Sequence, residues 1–153
     1  MWEKLLSEVR NIEQTYGDSL NNPASNEQVE VFENAVKEKL KYVLPEQYLN
    51  FLRVVNGLEF NGLKIYGVDS SLSEDEANQS VIGYIETNEI WYENEHQQQY
   101  MFFGDSDIGW YCLDISKGVY VELDKPSGTL MEVYKDFDSM LEKALTDSLQ
   151  GLK

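Results

Sequence analysis

The sequence predicts an α+β fold in which helices come first, a mostly antiparallel, curved sheet follows, and one helix closes the chain. Three observations predict it. Apolar residues recur at helical spacing from Trp2 to Val55. From Leu58 onward, short aromatic and β-branched runs alternate with turn residues. Helical spacing returns after Asp136. By length, 153 residues make one domain, 1–153, large enough to bury a core.

Trp2, Leu5, Leu6, Val9, Ile12 and Tyr16 form the first stripe, and Gly17 supplies its stop. Ser25 and Gln28 fit a capping box, the side chain of each bonding the other's backbone amide. Val29, Phe32, Val36 and Leu40 are the apolar stripe of the helix it opens. Pro45 suits a first helical position because it lacks an amide hydrogen. Tyr48, Phe51, Leu52 and Val55 would be the buried face of that third helix, with Gly57 as its left-handed end. Asn61-Gly62, between Phe60 and Leu63, suits a type I′ hairpin turn.

Residues 69–80 are polar and acidic and read as a mobile loop. The spacing of Val81, Ile85, Asn88 and Tyr92 predicts a helix within 81–95, with Glu86, Glu89 and Glu93 on its opposite face. Tyr100–Phe103, Ile108–Leu113, Gly118–Leu123 and Leu130–Tyr134 read as a strand meander. The first two runs are apolar on both faces, as strands near a sheet centre are. Asp136 then caps a helix burying Phe137, Met140, Leu141, Ala144 and Leu145, and Gly151 ends it.

Charge is distributed unevenly. The chain carries 28 acids against 12 bases, for a net charge of −16. Between Ile65 and Ser116 there are eleven acids and no Lys or Arg. Like charges so segregated repel in the compact state, and they attract cationic partners. Trp91, Tyr92, Trp110 and Tyr111 lie in the same stretch and are good anchor types for an interface. On a helix, Trp91 and Tyr92 cannot both face the core fully. Either one lies at a covered edge, or one is an anchor ringed by acids. Trp110 and Tyr111 point to opposite faces of a strand and read as core. Glu86, Glu89, Trp91, Tyr92, Glu93, Asp105 and Asp107 are therefore the candidate partner-binding residues. Direct nucleic-acid binding is disfavoured, since phosphates would meet negative charge.

Little points to catalysis. Asp105-Ser106-Asp107 resembles the start of a calcium loop, but the sixth and twelfth positions are Trp110 and Ser116 instead of Gly and Glu. His96 and Cys112 are the single residues of their kinds, with no third group indicated to orient a nucleophile. No phosphate loop, zinc spacing or other cofactor signal is present. The lone cysteine suits a reducing compartment. No run approaches the roughly 18 apolar residues of a membrane span. Charged residues such as Glu3, Lys4, Glu8 and Arg10 interrupt what a signal peptide would keep apolar. A cytoplasmic location is the expectation.

The order of elements carries a resemblance. A capped helix leads into Leu44-Pro45-Glu46-Gln47-Tyr48, then Phe51-Leu52 and Asn56-Gly57. Ile65-Tyr66-Gly67 and the Asp136-Phe137 helix follow in turn. Over about residues 24–147 the chain resembles the SUKH superfamily of cell-wall assembly regulator-like domains, with residues 1–17 as an additional helix. The resemblance implies an α+β fold without catalytic residues. It further implies an immunity protein that binds and neutralises a cognate toxin, often a nuclease. The acid-rich stretch adds that the toxin domain would be basic. The other reading is an intracellular regulatory or scaffold module with a host partner. Residues 68–99, where specificity would vary, depart most from the family pattern.

Overall fold

The computed structural model of the chain describes residues 1–72 and 81–150. Among these, the helices are α1 (Trp2–Thr15), α2 (Asn26–Lys39), α3 (Glu46–Leu52), α4 (Tyr84–Trp91) and α5 (Phe137–Gln150). The strands are β1 (Leu58–Phe60), β2 (Leu63–Ile65), β3 (Tyr100–Asp105), β4 (Gly109–Asp114), β5 (Val119–Asp124) and β6 (Leu130–Tyr134). They form one antiparallel sheet in sequence order, β1 to β6, with β3 and β4 at its centre. Register shifts at Phe102/Gly104 and Glu122/Leu123 mark irregularities that bend strands and curve the sheet. This is the expected α+β architecture.

Local chemistry sets the element ends. Ser25 Oγ accepts from the Gln28 amide at 3.1 Å, and Gln28 Oε1 accepts from the Ser25 amide at 2.8 Å, completing the capping box. Asn61 and Gly62 both have positive φ, 50° and 86°, as the tight hairpin requires. Asp136 Oδ1 accepts from the Ser139 amide at 2.8 Å and caps α5. Two details differ from expectation. Pro45 is extended (φ −69°, ψ 141°) and precedes the first turn of α3. Gly57 lies beyond α3, at φ 79°, where the chain enters β1. A Cβ there would sit 3.1 Å from the Ile65 carbonyl oxygen and 3.2 Å from the Gly67 amide, so backbone approach explains the glycine.

Tyr48 is the hub of the core. Its ring lies 4.9 Å from Phe103, 5.5 Å from Tyr84 and 5.5 Å from Phe137, and its hydroxyl donates to the Tyr66 carbonyl at 2.7 Å. One side chain from α3 thus ties α4, α5, β3 and the chain after β2 together. The spacing of Phe137, Met140, Leu141, Ala144 and Leu145 buries them all along α5, as expected. Of the loop expected over 69–80, Ser70–Leu72 is a single 3₁₀ turn and residues 73–80 lie outside the described residues. Gly151, the expected stop of α5, also lies outside them.

Candidate partner-binding face on the fourth helix

Residues 81–95 contain α4, shorter than the expected span. Tyr84, Ile85 and Asn88 are buried on one face. Asn88 holds the helix to the sheet. Its Nδ2 donates to the carbonyls of Tyr84 (2.8 Å) and Phe102 (2.9 Å), and its Oδ1 accepts from the Phe102 amide at 2.8 Å. The backbone of Phe102, beside the register shift, is thereby satisfied by a side chain. The helix start is held by Asp69. One carboxylate oxygen accepts from the Ile85 amide and the other from the Glu86 amide, each at 2.9 Å. Asp69 is 5% exposed, and burial raises its pKa against the opposing pull of these bonds. It thus leaves the expected acidic loop and becomes an N-terminal cap.

The opposite face carries Glu86, Glu89 and Ile90, with Glu93 one turn further on. Glu86, Glu89 and Ile90 fall at i, i+3 and i+4 and share one stripe, and Glu93 lies in the turn just past the helix end, its amide donating to the Ile90 carbonyl at 3.2 Å. The three glutamates are exposed, and Ile90 retains 52% of its surface. No ion pair among the described residues involves Glu86, Glu89 or Glu93. A groove of about 310 Å³ lined by Lys39, Asp69, Ser71, Leu72, Ile85, Glu86 and Glu89 runs beside the stripe.

Trp91 and Tyr92 are half-buried, and both pack on Phe102, each with its ring centroid 6.3 Å away. Tyr92 donates its hydroxyl to the Tyr100 carbonyl, and Trp91 Nε1 donates to the Tyr66 hydroxyl at 3.1 Å. Both therefore fasten α4 to the sheet. The exposed apolar residue of this helix is Ile90, absent from the sequence-based candidates. Its helical spacing to Glu86 and Glu93 was the signal that could have found it.

Asp105 does not extend an exposed acidic patch. It is 5% exposed, accepts from the Tyr66 hydroxyl and pairs with Lys125 Nζ at 3.1 Å. Lys125 Nζ also lies 5.6 Å from the Trp91 ring centroid and 5.9 Å from that of Trp110. Asp105 and the two indoles thus flank the ammonium, which stays partly exposed to solvent. Burial and the Asp105 carboxylate raise the Tyr66 pKa. Asp107 is exposed in the β3–β4 turn and borders a different groove, lined by Asn61, Ile108, Ala144 and Asp147 among others. Asp107 therefore flanks α5 and the first hairpin, while the glutamates lie on α4.

Among the described residues no group of three His, Cys, Asp or Glu is placed to hold a metal ion. Cys112 is buried in β4, with its thiol pKa pushed up by that burial, and His96 is exposed in the turn before β3. No helix among the described residues is long and apolar enough to cross a membrane.

The helices, the meander and the Tyr48 hub define an α+β domain of the SUKH type. The SMI1 / KNR4 family (SUKH-1) matches residues 23–143, and the chain belongs to it. The family includes toxin-immunity proteins and is generally non-catalytic. Among solved structures, a crystal structure of a protein from Pseudomonas syringae pv. tomato is similar, with a TM-score of 0.59 at 16% identity. The match covers 97% of this chain and 98% of that one, and it shows a shared fold. No curated protein matches the chain.

Proposed function

We propose that this chain is a cytoplasmic immunity protein that binds a basic nuclease toxin domain and neutralises it without catalysis. The contact surface is the outer stripe of α4. The observation that carries this reading is the grouping of Glu86, Glu89 and Glu93 around the exposed Ile90, with no ion pair to the three carboxylates among the described residues. Membership of a family that includes toxin-immunity proteins supports the same reading. A nuclease groove is basic because it holds phosphates, and carboxylates can occupy it as phosphate substitutes. Charges desolvated in such a contact couple by about 1.5–7 kcal/mol, against about 0–1 for exposed pairs. Ile90 supplies an apolar centre ringed by acids, and Asp107 lies outside the main contact.

The test is to mix the purified protein with the toxin-like product of the adjacent gene and assay toxin activity. Loss of activity at stoichiometric ratio is expected. Undiminished activity beside a folded sample would move the function to a regulatory module with a host partner.

A further inference from the structure

The two edges of the sheet are managed differently. β1 is three residues long, with exposed Glu59 at its centre. The loop before α2 closes on the chain entering it, Asn56 N donating to the Asn22 carbonyl at 3.0 Å. Short, charged edges resist pairing with other chains. β6 is longer, at five residues, and ends the sheet. Its outer side has no strand partner among the described residues, although an exposed Glu132 stands at its centre. Leu130, Met131 and Val133 are 56%, 47% and 52% exposed. Leu130 and Val133 also line an apolar groove of about 180 Å³ with Tyr100, Val119, Val121 and Leu123. An edge strand beside an apolar groove offers backbone bonds for affinity and pockets for alternate side chains.

Charge decides what covers it. Residues 115–135 hold three bases, Lys117, Lys125 and Lys135, and three acids, Glu122, Asp124 and Glu132. Glu122 accepts from the Tyr134 hydroxyl at 2.9 Å, and Asp124 accepts from the Ser127 hydroxyl. With Lys125 paired to Asp105, the segment's other charges are Lys117 and Lys135 against Glu122, Asp124 and Glu132, a net of −1 in a chain of −16. A basic partner gains little from it, whereas a second, equally acidic copy can approach here without strong repulsion. Closed pairs of identical chains use one self-complementary patch about a two-fold axis. An antiparallel pairing centred on Val133 sets Glu132 opposite Tyr134 of the second copy and Met131 opposite its Lys135. No two carboxylates then face each other.

We propose that β6 is a self-association edge, pairing with β6 of a second copy to continue the sheet. This surface is separate from the α4 stripe and does not depend on a toxin partner. Sedimentation of the wild-type chain over a wide concentration range is expected to show a species of twice 17.7 kDa. Met131→Lys with Val133→Lys should return it to the monomer mass while far-UV circular dichroism stays unchanged. Glu86→Lys with Glu89→Lys should leave the dimer intact. Amide exchange along 130–134 in the wild type gives a reading free of mutation, and protection that grows with concentration is expected. A wild-type monomer throughout, a dimer that survives the lysines, or concentration-independent exchange would overturn the proposal.

Discussion

The carboxylate of Asp105 lies inside, bonded to Tyr66 and Lys125, while that of Asp107, two residues on, lies in solvent. Removing one partner of a buried ion pair leaves the other uncompensated, at about 3–5 kcal/mol. Asp105→Ala should therefore destabilise by about 3 kcal/mol, the lower end because Lys125 keeps some water contact. Asp107→Ala should stay within about 0.5 kcal/mol of wild type. Urea unfolding of the two variants checks the contrast. Asp69 makes a second prediction, in pH. Burial raises its folded pKa above the ordinary 3.8, so the native state holds its proton over a window where the unfolded chain has lost it. Its contribution to stability is therefore largest below 3.8 and declines as pH rises through the folded value. Asp69→Asn should remove that decline, which the difference in melting temperature between variant and wild type, followed from acid toward neutral pH, would show. Neither role is visible from composition, because an acid's burial depends on contacts from distant segments.

At the scale of elements, α4 depends on Asn88 as much as on its apolar residues. Asn88→Leu keeps the size and leaves the amide and carbonyl of Phe102 without their partner, each costing about 1–3 kcal/mol. A loss of about 3 kcal/mol is expected, with early amide exchange in 84–91 and at Phe102. The helix itself was legible because Ile85 and Asn88 repeat at helical spacing. So were the capped start of α2, the Asn61-Gly62 hairpin and the Asp136 cap, since each is a local device. The meander was legible because its runs are short and separated by turns. The position of Gly57 was not, because its reason is a neighbouring backbone 3.1 Å away. The partial burial of Trp91 and Tyr92 follows from Phe102, Tyr66 and Tyr100, which sequence spacing does not bring near. Ile90 carries no aromatic signature, and only its place four residues after Glu86 on the helical period marks it as exposed beside the acids.

Across the whole molecule, the described acids of this stretch take different roles. Asp69, Asp105 and Asp114 are buried and structural, Asp107 flanks α5, and Glu86, Glu89 and Glu93 form the surface proposed to meet a partner. Only the last group should steer association, because oriented exposed charge raises encounter rates and salt screens it. The fold class followed from the order of elements. The division of the acids required the three-dimensional arrangement. The most direct measurement is the association rate between this chain and the toxin domain, at low and high salt, for wild type and Glu86→Lys/Glu89→Lys. The account predicts that wild type slows steeply with salt, and that at low salt the variant associates roughly tenfold or more slowly. Identical rates and salt dependence for the two proteins would contradict it.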